Sequence, residues 1–384
     1  MIDVFIVGSK GIPAQYGGFE TFVENLTARK NNPNIKYHVS CMNNDEKHFE
    51  YNGADCFNVR VPFSGAKGRI AHVGIVLNEV KKWKQQNRDS KTIVYILGCR
   101  IGPLLMYFAR QLKKLDVMIC CNPDGLEWKR SKWNAWQKRF LKYCEKCLVT
   151  NSQLAICDSK NIEQYINDEY GKKAPQTTFV AYGADVSKST CLESVLNDWY
   201  SKFDIVKNEY YLIVGRFVPE NNYETMIREF MKSSSKKDLV IVTNVEKNKF
   251  YEELKVSTEF YKDSRIKFVG TVYEQELIKK IRENAYAYIH GHEVGGTNPS
   301  LLEALASTKL NLLLDIGFNR EVGEESALYW SKEQGGLSSL INSAENFACD
   351  YIDELDVKST NRIIEYYSWQ SICEQYESIW LEQA

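Results

Sequence analysis

The residues best placed to bind an anion lie in glycine-containing loops, and the first of these loops covers residues 8–18. It ends in the pair Gly17-Gly18 and runs directly into a helical pattern. Paired glycines let backbone N–H groups approach an anion closely, and a helix start adds its dipole. The loop matches neither G-x-G-x-x-G nor a P-loop, which weakens a dinucleotide or ATP interpretation. The spacing predicts a phosphate cradle, with a turn that merely needs glycine as the alternative.

A second loop places a cation directly after an apolar run. It reads Val214-Gly-Arg-Phe-Val-Pro-Glu220 and carries Arg216. A guanidinium at this position can hold a diphosphate bidentately. A surface ion pair is the alternative interpretation of Arg216.

A third loop, over residues 290–303, reads His-Gly-His-Glu-Val-Gly-Gly-Thr-Asn-Pro-Ser-Leu-Leu-Glu. After Gly296, Thr297 and Asn298 can cap a helix and donate to an anion. Glu303 follows about one turn later, where its carboxylate could accept two ribose hydroxyls. The alternative for Glu303 is a carboxylate that only complements the helix dipole. No third metal ligand lies near His290 and His292 in the sequence, so we interpret both as polar site residues.

The segment Asn122-Pro-Asp124-Gly places a carboxylate after another apolar run. Asp124 could accept a proton from a hydroxyl group or hydrogen-bond a sugar. An Asx turn is the alternative. Residues 128–146 follow and alternate basic with aromatic side chains, a pattern typical of membrane interfaces. The alternative is a solvated helix whose aromatic stripe is core. The members of this stretch nearest Asp124 are Trp128, Lys129, Arg130, Lys132, Trp133 and Trp136.

Metal chemistry has little support in the sequence. There is no D-x-D pair of the kind that bridges a divalent cation to a diphosphate. Cys144 and Cys147 form the single C-x-x-C, without a second pair. The eleven cysteines are odd in number and several lie in apolar runs, which predicts buried free thiols in a reducing compartment. No signal peptide pattern and no membrane-spanning apolar run is evident.

The elements that must position these loops alternate between short apolar runs and helix-length amphipathic stretches, twice over the 384 residues. Continuous apolar runs predict parallel strands covered on both faces by helices. The fold class is therefore α/β, with two Rossmann-like, doubly wound domains. Ligands of such sheets bind beyond the carboxyl ends of the strands. Two such domains are expected to face each other across a cleft.

The net charge of −1 conceals an uneven distribution. Residues 1–185 hold 27 Lys and Arg against 18 Asp and Glu, whereas residues 186–384 hold 22 against 32. A basic half can serve nucleic acid, an anionic membrane or a phosphorylated substrate, and charge does not choose among them. No nucleic-acid-binding motif accompanies the basic stretch, so we expect no nucleic-acid partner. The change of sign coincides with the polar seam at residues 183–209.

Together, Gly17-Gly18, the Arg216 loop and the Gly-Gly-Thr-Asn-Pro-Ser-Leu-Leu-Glu segment resemble the GT-B glycosyltransferases of the retaining family 4. Within it, the sequence is similar to streptococcal-type β-1,4-rhamnosyltransferases that begin cell-wall rhamnan or capsular repeat units. The resemblance covers essentially the whole chain. It implies domains at 1–185 (acceptor and membrane) and 186–365 (nucleotide sugar), with a helix at 366–384 that crosses back to the first domain.

The resemblance also implies the ligands and their residues. The donor is dTDP-β-L-rhamnose, and the acceptor is GlcNAc or glucose on a membrane polyprenyl diphosphate. By position, Arg216 holds the diphosphate, Thr297 and Asn298 the distal phosphate, and Glu303 the ribose. Gly17 and Gly18 close on the phosphates from the other domain.

Two positions depart from the family pattern. The family has Glu eight residues before its ribose Glu, and this chain has Gly295 there, which leaves Glu293 as an imperfect substitute. It also often has Lys where this chain has Asn221, so Arg216 is the main cation, assisted by Lys10.

The expected reaction is metal-independent, needs no cofactor and retains configuration, and the leaving diphosphate helps to deprotonate the acceptor. The protein is expected in the cytoplasm, peripheral on the inner face of the cell membrane. Two alternatives stay open: another GT-B hexosyltransferase that uses a UDP- or GDP-sugar, and a non-catalytic sugar-nucleotide-binding scaffold. A silent relative would be expected to lose Arg216 or Glu303, and both are present.

Overall fold

The computed structural model describes residues 1–14, 17–43, 45, 47–63, 65–246 and 248–383. The chain divides into two compact units, one formed by Met1–Gly183 with Trp369–Ala384 and the other by Ala184–Ser368. The sequence places the corresponding boundaries after residues 185 and 365.

The first unit is built around an eight-stranded sheet. Neighbouring strands are parallel, except that the third and fourth strands in chain order are antiparallel to each other. Its strands are β1 (Ile2–Val7), β2 (Ile35–Met42), β3 (His48–Tyr51), β4 (Ala54–Val59), β5 (Lys91–Leu97), β6 (Val117–Asn122), β7 (Leu154–Cys157) and β8 (Gln176–Phe179). Their order across the sheet is β3-β4-β2-β1-β5-β6-β7-β8. Central strands such as β1 are buried along their whole length, because helices cover both faces.

Five helices of this unit connect or follow the strands: α1 (Gly18–Ala28), α2 (Gly65–Gln86), α3 (Gly102–Lys114), α4 (Ala135–Asn151) and α5 (Lys160–Tyr170). The basic-aromatic stretch is therefore not one helix. Glu127–Lys129 form a short 3-10 turn, and α4 begins only after Asn134, whose side chain accepts from the Gln137 amide in a capping box.

The sequence patterns did not indicate β2, β3 and β4, and the chemistry of His38 explains part of this. His38 is buried in β2, where an apolar side chain would be expected. Its Nε2 lies 2.8 Å from an Asp3 oxygen, and its Nδ1 lies 3.0 Å from an Asp55 oxygen. The hydrogen bonds satisfy the imidazole, so a polar residue is tolerated in a buried strand.

The second unit contains a six-stranded, fully parallel sheet. Its strands are β9 (Tyr210–Val214), β10 (Asp238–Val242), β11 (Ile266–Gly270), β12 (Ala287–His290), β13 (Asn311–Leu314) and β14 (Leu328–Trp330), in the order β11-β10-β9-β12-β13-β14. The helices are α6 (Glu193–Phe203), α7 (Tyr223–Lys232), α8 (Lys249–Thr258), α9 (Gln275–Glu283), α10 (Pro299–Leu305), α11 (Gly317–Gly323), α12 (Gly336–Ala344) and α13 (Cys349–Arg362). Buried side chains form a hydrophobic cluster on each face of the sheet.

The final helix, α14 (Trp369–Glu382), packs within the first unit. The hydroxyl of Tyr376 lies 3.0 Å from that of Tyr95, both buried. The Trp380 indole N–H donates to the Tyr37 hydroxyl over 3.2 Å. The Glu377 carboxylate accepts the amide of Asn31 over 2.7 Å. In the described part of the chain, no helix is both long and apolar enough to cross a bilayer.

Candidate functional site

Each sheet has a position where the strand order reverses, and the chemistry-bearing loops follow the strands at these positions. In the second unit the chain runs outward from β9 to β11 and then returns to place β12 beside β9. The loops that carry Arg216 and His292 follow these two adjacent strands. In the first unit, the Gly8–Gly18 loop follows β1, beside β5. Such reversal points are where parallel α/β sheets bind ligands.

Arg216 is exposed at the end of β9, and no acidic side chain among the described residues pairs with it. Its backbone carbonyl accepts the Val218 amide over 3.0 Å and the Asn221 side-chain amide over 2.7 Å. The backbone of this loop is therefore held in place while the guanidinium stays available. This argues against the surface ion pair that the sequence left open.

Two asparagines join the Arg216 loop to the loop after β12. The Asn222 side chain donates to the Gly291 carbonyl over 2.7 Å, and the Asn221 Oδ1 lies 2.6 Å from the His292 Nδ1. Because the Asn221 amide nitrogen already donates to Arg216, its oxygen is the acceptor, and His292 carries a proton on Nδ1. A Cβ at position 291 would lie 2.5 Å from the Asn221 carbonyl oxygen, so only glycine permits this approach.

The start of α10 has the capping predicted from the sequence. The Asn298 side chain accepts the Ser300 amide over 2.9 Å. Thr297 is buried, whereas Gly296 and Asn298 are half-buried. The Ser300 hydroxyl donates to the Val214 carbonyl over 3.1 Å, which ties the start of α10 to the end of β9.

Glu303 is paired with a buried arginine that sequence reasoning missed. An Oε2 of Glu303 lies 2.6 Å from Nη2 of Arg282, which is on α9. The Arg282 side chain is 5% exposed, whereas that of Glu303 is 40% exposed. The carboxylate therefore has one oxygen engaged by the protein while the group still reaches solvent.

Arg282 also contacts a network of polar side chains through the Ser300 hydroxyl, which lies 3.4 Å from its Nη2. The Tyr288 hydroxyl lies 3.1 Å from the Ser300 hydroxyl and 3.4 Å from the His290 Nδ1. Burial, followed by the neighbouring His292, lowers the pKa of His290 to about 3. His290 is therefore a neutral hydrogen-bonding group at physiological pH.

Glu293, the expected substitute for the family's first Glu, forms an ion pair with Lys332. Its backbone amide donates to the Glu220 carbonyl over 3.1 Å, a third link between the two loops. The carboxylate is thus partly neutralised by a lysine that lies 39 residues further along the chain.

In the first unit, carboxylates of α1 hold the loop that contains Gly17 and Gly18. Gly17 has φ 133°, a conformation that favours glycine, and caps α1. Glu20 accepts the amide of Lys10 over 2.7 Å, and Glu24 accepts the amide of Ala14. Two amides of the predicted phosphate cradle are therefore already engaged by acidic side chains.

Asp124 adopts a left-handed conformation at φ 63° and closes a local turn. Its amide donates to Asn122 Oδ1, and its Oδ1 accepts the Gly125 amide, each over 2.8 Å. The Asx-type turn that the sequence left open is therefore present, and it leaves the second carboxylate oxygen for another partner. Burial raises the pKa of Asp124, and the nearby cations of Arg130 and Arg100 only partly oppose this.

The buried carboxylate of Glu127, three residues after Asp124, pairs with three cations. It lies 2.7 Å from Arg100 and from Arg130 and 3.3 Å from Lys132. The Trp133 indole N–H donates to it over 3.2 Å. Burial opposes ionisation of Glu127, but these three cations hold its pKa below the usual value.

A second buried carboxylate, Glu145 on α4, holds another part of the same stretch. It accepts the Trp128 indole N–H over 3.1 Å and the Tyr170 hydroxyl over 2.6 Å. Lys142 lies 3.2 Å away. Trp128, Arg130 and Trp133 therefore face the protein, whereas Lys129 and Trp136 are exposed. Lys132 is exposed as well, although it pairs with Glu127.

Several large apolar side chains of α3 and α4 are exposed, and we call this group the α3–α4 face. Trp136 is 71% exposed and stacks on Phe140, with ring centroids 5.7 Å apart. The Tyr143 hydroxyl lies 3.8 Å from the Met106 sulfur of α3. The members of the face are Met106, Tyr107, Trp136, Phe140 and Tyr143.

The thiols are free, as the sequence predicts, and most are buried. Burial raises the pKa of Cys144 to about 11. Within the residues that the structure describes, no three His, Cys, Asp or Glu side chains come together in the way that a metal ion would require.

Comparison with known proteins agrees with this architecture. A family described as "Domain of unknown function (DUF1972)" matches residues 1–185. No curated protein sequence matches the chain. The chain is similar in structure to a sucrose-phosphate synthase from Thermosynechococcus elongatus, with a TM-score of 0.79 and 14% identity over 100% of this chain and 99% of that one.

Two further similar structures carry ligands in their descriptions. HepE of Anabaena, in complex with UDP and glucose, has a TM-score of 0.72 and 12% identity, with 100% of both chains covered. A structure described as trehalose-6-phosphate from E. coli, bound with UDP-2-fluoro glucose, has a TM-score of 0.69 and 11% identity over 98% of both chains. These likenesses show the fold: two parallel-sheet, Rossmann-like domains of the GT-B type.

The residues that sequence reasoning missed are ionic partners, and the helix patterns held a signal for two of them. Arg282 follows Leu277, Ile278 and Ile281 on the buried face of α9. Glu145 likewise lies among the buried apolar residues of α4. A charged residue at an apolar helix position indicates a buried ion pair, because an unpaired buried charge is too costly.

Proposed function

We propose that the protein is a retaining glycosyltransferase that moves L-rhamnose from dTDP-β-L-rhamnose to the 4-hydroxyl of a GlcNAc or glucose carried on a polyprenyl diphosphate. Such a reaction serves rhamnan or capsular polysaccharide synthesis. The observation that carries the proposal is the exposed Arg216, without a carboxylate partner among the described residues, at the strand-order reversal of a GT-B fold. The UDP and glucose in the description of HepE support a nucleotide-sugar donor.

In this proposal the donor binds the second unit. Arg216 holds the diphosphate, and the backbone of Gly296, Thr297 and Asn298 receives the distal phosphate. Glu303 binds the sugar of the nucleoside. Glu293 is already paired with Lys332, and this ion pair borders the same loop.

The first unit would take the acceptor. Asp124 hydrogen-bonds the acceptor sugar through the oxygen that its turn leaves available. Gly17 and Gly18, before α1, are the phosphate-binding residues that we propose for this unit. Glu127 fixes Arg100, Arg130 and Lys132 around Asp124, so the acceptor meets a preorganised set of charges.

The proposed chemistry is a front-face displacement that needs no metal ion or cofactor. The bond between the rhamnose anomeric carbon and the diphosphate oxygen breaks, and the acceptor oxygen forms the new bond on the same face. The acceptor proton passes to the leaving diphosphate. Arg216 stabilises the negative charge that develops on the leaving group.

We assign the membrane surface to the α3–α4 face rather than to the whole basic-aromatic stretch. Arg110, Lys113, Arg139 and Lys146 are exposed on the same two helices. Aromatic rings at headgroup depth with cations beside them fit an anionic, cytoplasmic membrane surface.

The first experiment is a transfer assay in EDTA. It offers dTDP-rhamnose, UDP-glucose, UDP-GlcNAc and GDP-mannose separately, with short-lipid diphosphates of GlcNAc and of glucose as acceptors. Transfer from dTDP-rhamnose alone supports the proposal and identifies the acceptor. Transfer from another donor favours the alternative GT-B hexosyltransferase, and binding of a donor without transfer favours a non-catalytic protein. Activity that EDTA abolishes and Mg²⁺ or Mn²⁺ restores would contradict the metal-free reaction.

The membrane assignment is tested by flotation with anionic liposomes. We expect Trp136→Ala combined with Phe140→Ala to weaken binding, and added salt to weaken it further. Tyr261→Ala, an exposed tyrosine of the other unit, is the matched control. Binding that the double variant leaves unchanged would refute the α3–α4 face.

A further inference from the structure

We infer that a cavity between the ends of α4 and α5 binds the headgroup phosphate of an anionic phospholipid. The inference rests on the proposed membrane surface, because it names the lipid chemistry that this surface recognises. The cavity has a volume of about 340 Å³ and is lined by Lys146, Glu169, Tyr170, Lys172 and Lys173. The first of these residues is on α4, the next two end α5, and the last two follow in a short 3-10 turn.

The side chains that line this cavity carry mainly positive charge. Its three lysines are exposed, and in the described part of the chain none of them forms an ion pair with an acidic side chain. Glu169, the carboxylate in the lining, lies 3.1 Å from Lys142 and is partly neutralised by it. The cavity therefore attracts an anion, and lysine ammonium groups are common ligands of phosphate.

Buried contacts between α4 and α5 fix the wall of the cavity. The Tyr170 hydroxyl donates to the Glu145 carboxylate over 2.6 Å, and Lys142 lies 3.2 Å from the same carboxylate. The Lys142 ammonium also lies 5.3 Å from the centre of the Tyr170 ring. An anion therefore meets a wall that is already in place, and only the exposed lysine side chains must be ordered when it binds.

The cavity lies at the opposite edge of the sheet from the proposed acceptor site. Asp124 directly follows the carboxyl end of β6. α4 leads from that end to the amino end of β7, and α5 leads from the carboxyl end of β7 to the amino end of β8. Because β6, β7 and β8 are parallel neighbours, both helices end at the amino-terminal edge of the sheet. Binding of a phosphate in the cavity is therefore separate from binding of the acceptor's diphosphate.

The position of the cavity relative to the α3–α4 face favours a lipid phosphate over a free phosphate ion. Trp136, Phe140 and Tyr143 of this face recur along α4 at intervals of four and three residues, and Lys146 follows after three more. This spacing places the four side chains along one side of the helix. A membrane that covers the aromatic rings at headgroup depth therefore brings its phosphates to the lysines.

The test is flotation with vesicles of phosphatidylcholine, with and without phosphatidylglycerol. Lys172→Gln combined with Lys173→Gln should weaken binding to the phosphatidylglycerol vesicles roughly 25-fold, because each lysine at an anionic surface contributes about fivefold. Binding to phosphatidylcholine alone should not change. Arginine at both positions keeps the cations and should restore wild-type binding.

A matched control removes the same charge from the other unit. Lys236→Gln combined with Lys255→Gln changes two exposed lysines there and should alter binding by less than about twofold. Inorganic phosphate, added at constant ionic strength, should not release the wild-type protein. Transfer to a short-lipid acceptor in the absence of vesicles should keep its wild-type kcat and KM in the Lys172 and Lys173 double variant.

The outcomes separate this inference from the proposed membrane surface. If the wild-type protein floats but the Lys172 and Lys173 double variant binds as tightly, or the control weakens binding equally, the inference is wrong while the membrane surface stands. Release by inorganic phosphate would identify a site for the free ion and overturn the lipid assignment. A loss of transfer without vesicles would show that the lysines serve the reaction rather than the membrane. If the wild-type protein floats with no vesicle, the membrane surface fails and the inference with it.

Discussion

The loops after β5 and β6 in the first unit and the loop after β9 in the second unit all contain arginines, but these arginines have different surroundings. Arg100 and Arg130 lie within 2.7 Å of the buried Glu127. Arg216 is exposed and has no carboxylate partner among the described residues. The basic half of the chain thus pairs these arginines with its own buried carboxylate, whereas the acidic half leaves Arg216 exposed. Net charge alone therefore does not locate an anion site.

The largest expected effect is on stability, and it follows from removal of Glu127, the carboxylate that pairs with Arg100 and Arg130. Glu127→Ala leaves three cations around a buried position and should lower the free energy of unfolding by about 3 kcal/mol. Urea unfolding measures this value. Glu79→Ala, which removes an exposed i,i+3 pair with Lys82, should change it by less than about 0.5 kcal/mol. Equal effects of the two variants would show that Glu127 is not an organising residue.

Arg216→Ala tests the exposed arginine of the second unit. Loss of one preorganised donor should cost roughly 3 kcal/mol of transition-state stabilisation, about a hundredfold in kcat, with little change in stability. Steady-state transfer and a thermal melt measure the two quantities. Lys249→Ala, an exposed cation of the same unit, should change neither. Near-normal turnover of the Arg216 variant would contradict the proposal that Arg216 binds the diphosphate.

Asp124→Asn sharpens the comparison, because it separates activity from stability within the first unit. Turnover should fall roughly tenfold, the low end of the contribution of a proton-transfer or orienting group. Burial raises the pKa of Asp124, so its contribution to stability is present below the unfolded pKa of about 4 and is lost as the pH rises through the folded pKa. The variant should therefore be more stable than the wild type at pH 7, and this advantage should vanish near pH 4. Urea unfolding at both pH values decides the sign.

The smallest effect concerns Asn221, where the family that the sequence resembles often has lysine. Asn221→Lys adds a cation but removes the links to His292 and the Arg216 carbonyl. We expect the loss of positioning to dominate and kcat/KM to fall about fivefold, the scale of one neutral hydrogen bond. A faster lysine variant would mean that the site lacks a second cation.

Much of the fold could be predicted from the sequence because the central strands are continuous apolar runs. The strands β2, β3 and β4 could not. In β3 the exposed and half-buried residues alternate, and in β2 the buried His38 looks polar until Asp3 and Asp55 are beside it. Pairings of this kind depend on residues that lie far apart in the chain.

In the candidate site, too, local features could be predicted, whereas contacts between distant parts of the chain could not. The loop glycines, Arg216 and the cap at Asn298 are local features that neighbouring residues indicate, and the structure contains the Asn298 cap. The partners that decide what Glu303 and Glu293 can do are Arg282 and Lys332, which lie 21 and 39 residues away. The basic-aromatic stretch has the same property: charge and ring counts do not reveal that several of its side chains contact the buried Glu127 and Glu145.

The position of α14 has a consequence for biosynthesis. Tyr376 and Trp380 fill buried positions against Tyr95 and Tyr37, yet the ribosome produces them after all of residues 184–368. The second unit is one uninterrupted stretch that separates α14 from the rest of the first unit. The nascent chain therefore carries a first unit without α14, with the buried faces of Tyr95 and Tyr37 uncovered, until the whole second unit has been made.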